Sequence, residues 1–259
     1  MAGLSDEQAQ AALLKIDSYA TELVKRSESE SGFAVASTSE LDHDDVRCRP
    51  YHVSHAARTS LSAAVDHLHA MCVQVLRTGV LPLYAPASLA RGALECASTA
   101  IWLVRADASD ERITRALKWN VADVRDGDRA FTDAGLPVPT PLQARLDKIE
   151  VVATRCGLAF KPISGGYRSS DAVKEAQNLL DRSPFGVLMP WPLASGNAHG
   201  RRWSTMAFAD TMQKQPTSDP DVSGLRIEND WNRVAFFGLA AATTVKAAVA
   251  LYEKRAATA

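Results

Sequence analysis

No two cysteines stand in a Cys-x-x-Cys arrangement. Cys48, Cys72, Cys96 and Cys156 are all widely spaced. That excludes a zinc ribbon and a thioredoxin-type redox centre, and four scattered cysteines read as reduced core residues. Neither G-x-G-x-x-G nor G-x-x-x-x-G-K-[ST] occurs, so both nucleotide-binding fingerprints are missing. The G-x-S-x-G elbow of serine hydrolases is missing too. Charge of one sign is not in excess: 29 Lys and Arg face 30 Asp and Glu, a net of −1. This excludes a protein that coats nucleic acid by bulk charge. The N-terminus, MAGLSDEQAQ, lacks a basic and an apolar region, so it does not read as a secretory signal. Long apolar runs are lacking as well. The stretch Pro86–Val104 approaches a membrane span in length but carries Arg91 and Glu95 near its middle, so a core helix is expected. The expected compartment is the cytoplasm, with no membrane partner.

With 46% hydrophobic and 23% charged residues, the chain has the composition of a globular protein. The near-neutral total hides two unlike parts. Residues 1–45 hold ten acids and three bases, a net of −7, which leaves +6 on the remainder. Such asymmetry leaves open an anionic partner for the body, or an acidic leader that only solvates it.

Strand-like alternation is nearly absent, and every long segment repeats with helical spacing. Ser5 and Gln8 form a capping-box pattern for a helix over 5–26. Residues 27–40 read as a polar loop or linker. A helix follows Pro50, with Leu61, Ala64, Val65, Leu68, Met71, Cys72, Val75 and Leu76 as its stripe and Gly79 as its stop. Further helices are expected from Pro86 to about Val104 and over 109–134, the latter with Ile113, Leu117, Val124 and Phe131 inward. Thr140–Pro141 opens another that Gly157 ends. A short one covers 171–181, and the last runs from about Asn229 to Arg255. TSDPDVSG (217–224) reads as a turn. The fold expected is all-α: a bundle of about six to eight helices over 46–259, preceded by an acidic N-terminal appendage over 1–45.

Three constellations carry chemistry. Arg91 and Glu95 lie at i and i+4, on one face with Ser98 and Trp102. Two charges in an apolar helix point either to a polar pocket in the bundle or to a structural ion pair. The run Ser195-Gly196-Asn197-Ala198-His199-Gly200-Arg201-Arg202-Trp203 gathers a hydroxyl, an amide, an imidazole and two guanidinium groups. His199 suits acid–base work near neutral pH, and the arginines suit phosphate or carboxylate. The alternative is a capped helix end. The third is the stripe His52, His55, Thr59, Ser62, Asp66 and His69, which keeps one helical face. Asp66 and His69 are too few ligands for a metal site, so it reads as a solvated polar face; no metal and no cofactor is expected.

The two motifs ARGALECASTAIWLV (Ala90–Val104) and SGNAHGRRW (Ser195–Trp203) together resemble a family of uncharacterised bacterial all-helical proteins with an R-x-x-x-E helix early and an S-G-x-A-H-G-R segment late. The resemblance spans roughly residues 50–255 and implies that Arg91, Glu95, Ser195, His199 and Arg201 form a polar core. More distantly the chain resembles HEPN-type helical domains, some of which cleave RNA. Their signature has four to six residues between Arg and His. Pro192, Leu193 and Ala194 occupy those positions ahead of His199, whereas Arg49 with His55 and Arg47 with His52 satisfy the spacing.

Two functions follow as expectations. The first is a pocket in which His199 and Glu95 are the catalytic groups and Arg91, Ser195, Asn197, Arg201, Arg202 and Trp203 bind a small anionic ligand. It requires Arg91, Glu95 and His199 to converge on one cavity. The second is a HEPN-like nucleic-acid-associated or partner-binding protein of a defence or regulatory system, without the usual ribonuclease motif, which the +6 body favours. The apolar run Phe185–Trp191 leaves open a homo-oligomer patch or plain core.

Overall fold

Helical spacing of apolar residues turns into helix wherever it runs for more than two turns. The computed structural model describes residues 4–29, 32–208, 212–215, 217–218, 221 and 224–258. The turn expected over 217–224 falls partly outside them. Helix α1 (Asp6–Ser27) starts at a complete capping box: the Ser5 hydroxyl accepts the Gln8 N–H and the Gln8 side chain accepts the Ser5 N–H. Helix α3 (Val53–Thr78) ends at Gly79, whose φ of +68° closes the last turn. Helix α4 (Ala85–Arg105) carries Pro86 in its first turn. Helix α11 (Trp231–Ala256) is capped by the Asp230 carboxylate, which accepts the Arg233 N–H.

These four helices form the centre. Helix α4 packs on α3 and α11, and α1 packs on α3 and α11. At one end the Asn229 amide, just ahead of α11, donates to the Pro82 carbonyl ahead of α4; at the other, Arg255 donates to the Val104 and Arg105 carbonyls. Helices α4 and α11 are therefore parallel. The ion pair of Arg26 with Glu253 and the contact of Leu13 with Gly238 set α1 parallel to α11 as well. Helix α3 runs against them: Met71 meets Gly238, and the His67 ring lies against Gly92.

Helices α5 (Ser109–Asp133), α6 (Leu142–Arg155), α7 (Phe160–Ile163) and α8 (Ser169–Leu179) wrap this centre, followed by α9 (Pro190–Ala198) and α10 (Arg202–Met206). The last turns of α5 reach past the core, so Phe131, expected inward, is 47% exposed. Eleven helices are present among the described residues, against the six to eight expected. Four of them, α2 (Glu40–Cys48), α7, α9 and α10, have nine residues or fewer. A two-stranded antiparallel hairpin, β1 (Met212–Gln215) and β2 (Gly224–Ile227), was not expected. Four residues per strand are too few to show a period.

The described part of residues 1–45 is not an appendage. Leu13, Ile16 and Leu23 of α1 join the common core, and α2 is sealed to the body by charge. Its Asp44 is fully buried and takes a two-pronged bond from Arg112, at 2.5 and 3.2 Å. Arg112 also donates to the Ala106 and Asp107 carbonyls and pairs with Glu40 at 3.1 Å. Arg255 pairs with Glu40 and Asp107. Burial pulls the Arg255 guanidinium down, and its bonds to Glu40 and Asp107 more than offset this, leaving its pKa raised. The acidic leader thus supplies partners for arginines of the body.

Among the described residues, α11 is the one helix long and apolar enough to cross a membrane by length and composition, rather than Pro86–Val104. In its most apolar window, 61% is buried inside the protein, as a central helix requires.

Candidate functional site

The late motif folds as a helix, a tight turn and a second short helix. Pro190 and Pro192 fit the first turn of α9. Gly200, at φ +61°, turns the chain after His199, and the Arg201 N–H closes back on the Gly196 carbonyl at 2.8 Å. Gly196 lets α10 pack directly on α9: a Cβ there would sit 2.5 Å from Ser204 Cβ and 2.9 Å from the Trp203 ring.

The turn divides the motif between inside and outside. Asn197 goes in. It is 1% exposed, donates to the Leu193 carbonyl at 2.9 Å and accepts from Arg233. Arg233 is itself buried and lies 4.6 Å over the Phe208 ring; burial lowers its pKa. Ser195 is half-buried, and its carbonyl accepts the His199 N–H. His199, Arg201, Arg202 and Trp203 go out. All four are exposed, Trp203 at 54%, and among the described residues their side chains have no ion-pair or hydrogen-bond partner. Other arginines of the bundle are engaged: Arg47, Arg105, Arg112, Arg115, Arg145 and Arg255 all face carboxylates.

The early motif forms a separate cluster. Arg91 and Glu95 pair at 3.2 Å with both side chains about one-third exposed, and the Trp191 indole N–H donates to Glu95 at 3.1 Å. Trp191 opens α9 and His199 closes it. Eight residues of helix, about 12 Å of rise, separate the two along α9. Glu95 and His199 are thus held at opposite ends of α9, with His199 facing solvent. Ser98, on the same face of α4, is fully buried without a hydrogen-bond partner, as is the Nε of Arg91.

Sequence reasoning missed the residues that surround the Arg91–Glu95 pair. The Tyr167 hydroxyl is hydrogen-bonded to that of Thr99 at 2.5 Å, and its ring lies tilted against Trp102 with centroids 5.1 Å apart. Burial pushes the Tyr167 phenol well above its ordinary value. The imidazole that meets α4 beside the pair is His67, whose ring lies 2.6 Å from where a Gly92 side chain would begin. The one available signal was Trp191, since a buried indole N–H calls for an acceptor.

Of the residues matching the HEPN spacing, Arg47 is bound to Ser109 and Asp110 at 2.6 Å each. The His52 and His55 rings lie 4.4 Å apart at the start of α3. Among the described residues no three His, Cys, Asp or Glu side chains converge as a metal site would need. Comparison with protein-family models, curated proteins and solved structures finds no match to this chain.

Proposed function

We propose that the chain is a binding protein that docks single-stranded RNA through the exposed turn from His199 to Trp203. The observation that carries this reading is the outward placement, without partners among the described residues, of one imidazole, two guanidinium groups and one indole within five residues. Free arginines neutralise phosphates, and an exposed aromatic ring offers a stacking surface for bases. The distance along α9 between His199 and Glu95 favours binding over acid–base catalysis by that pair.

Fluorescence anisotropy with a labelled single-stranded RNA tests it. Binding should weaken linearly on a log–log plot against salt. Replacing Arg201 and Arg202 by Gln should flatten the slope by about 1.4, at about 0.7 per phosphate contact. Trp203→Ala should cost about 1–3 kcal/mol. Negligible binding at low salt, or undiminished binding when Arg201→Gln, Arg202→Gln and Trp203→Ala are combined, refutes the reading.

A second reading, a small anionic ligand held at Arg91 and Glu95, rests on the buried Arg91 Nε that lacks a partner. A thermal-shift screen of small carboxylates and phosphates addresses it. Here a ligand that stabilises the native protein should fail to stabilise Arg91→Gln; equal stabilisation of both counts against this reading.

A further inference from the structure

The Arg91–Glu95 pair keeps part of its bonding capacity unused. Both contacts to the carboxylate end on one oxygen: Arg91 Nη2 lies 3.2 Å from Glu95 Oε2, and the Trp191 indole N–H donates to the same atom at 3.1 Å. Among the described residues Glu95 Oε1 has no partner, and Arg91 meets its partner through Nη2 alone, its Nε being buried without an acceptor. With side chains 33% and 28% exposed, Arg91 and Glu95 are both reached from solvent. We propose that this pair binds a small zwitterion, an α-amino acid with an apolar side chain. The inference rests on the reading that Arg91 and Glu95 hold a ligand, and changes the class of that ligand.

Charge balance selects it. A lone anion drawn to Arg91 also meets the Glu95 carboxylate beside it, and a lone cation drawn to Glu95 meets the guanidinium. Like charges side by side oppose both. In an α-amino acid the carboxylate and the ammonium are joined through one carbon. Adjacent groups of opposite sign suit a pair whose own charges are adjacent. The ligand carboxylate accepts from Arg91 and its ammonium donates to Glu95 Oε1, so donors meet acceptors and each charge finds its opposite. No net charge is added to a helix that is otherwise apolar.

The side chain of the ligand has an aromatic wall. Trp191 is half-buried, and its indole is fixed by the bond to Glu95, with Pro190 and Pro192 stiffening the backbone on either side. Beyond Glu95 on the same face of α4, Trp102 packs on Tyr167, whose hydroxyl is tied to Thr99. Burial raises the Tyr167 phenol, so it stays neutral and adds no third charge. Rings held in place before binding lower the ordering cost of the complex. Apolar walls around a few polar groups are what a small-molecule site requires.

L-phenylalanine, 3-phenylpropionate and 2-phenylethylamine are titrated calorimetrically into the full chain, Arg91→Gln and Glu95→Gln. The three probes share one apolar body and differ in the charged groups they carry. Saturable binding of phenylalanine is expected, at least about tenfold tighter than either single-charge analogue, as for loss of one charge-assisted contact. Glu95→Gln should weaken phenylalanine by a similar factor and bind 3-phenylpropionate more tightly than the unaltered chain does. Arg91→Gln should shift in the same way toward 2-phenylethylamine. A variant that has merely unfolded gains affinity for neither, and the ranking of the three probes by the unaltered chain still decides. No saturable binding of phenylalanine overturns the proposal, as does equal binding of 2-phenylethylamine. Equal binding of 3-phenylpropionate overturns it too, but leaves an anion site at Arg91 standing.

Discussion

His55 stands in solvent at the start of α3, yet its surroundings oppose its charge. Burial of part of the ring, then His52 and Arg58, lower its pKa from the ordinary 6.5, against an opposing pull from Asp45. The folded chain thus binds this proton less readily than the unfolded chain does. The contribution to stability is present above 6.5 and is lost as pH falls through the folded value. An NMR titration of the His55 ring should give a midpoint below 6.5, and His55→Gln should flatten the dependence of the melting temperature on pH in that window. A midpoint at or above 6.5 contradicts this. The cysteines behave in the opposite sense: burial pushes the Cys48 and Cys72 thiols up to about 12 and that of Cys96 to about 11, so they remain protonated near neutral pH.

Helix α2 shows how charge can do what apolar burial does elsewhere. It has nine residues, and Leu41 and Cys48 are its buried apolar side chains. The Asp44–Arg112 pair fixes it to α5. Removing one member of a buried pair strands the other, at about 3–5 kcal/mol. Urea unfolding of Arg112→Ala should show a loss of that size. Arg129→Ala, which breaks an exposed pair with Asp126, should lose less than about 1 kcal/mol. Similar losses from both would mean that burial is not what gives the Asp44 pair its weight. The same helix explains where sequence reading stops. Helices α1, α3, α4 and α11 were legible because Leu13, Leu61, Leu94 and Val245 belong to stripes several turns long. Helix α2 was not, because it buries only two apolar side chains and its Asp44 is held by Arg112, 68 residues along the chain. The candidate site was legible in composition but not in direction. The run from Ser195 to Trp203 announced polar chemistry, while the inward turn of Asn197 depends on Arg233, in another helix.

For the whole molecule, α1 and α2 make the N-terminal 45 residues part of the core. Leu13, Ile16 and Leu23 each contribute about 1.5–3 kcal/mol of burial, against a total stability of about 5–15 kcal/mol for a typical domain. Loss of α2 would also leave Arg112 and Arg255 without Glu40 and Asp44. A chain of residues 46–259 should therefore lose its sharp thermal transition and its near-ultraviolet circular dichroism. A cooperative transition near that of the full chain would show that the body folds alone.

The parallel course of α1, α4 and α11 has an electrical consequence. Each helix is a dipole with about half a positive charge at its N-terminus, and three of the four central helices start at the same end; α3, running the other way, cancels one. Arg26, Arg105 and Arg255 stand in the last turns at the opposite end, where they balance the negative pole. The bond from Arg233, in the first turn of α11, to Asn197 puts the end of α9 at the positive pole. At the turn from His199 to Trp203 this positive pole meets the negative C-terminal pole of α9 itself, so the guanidinium groups of Arg201 and Arg202 carry the attraction for anions there.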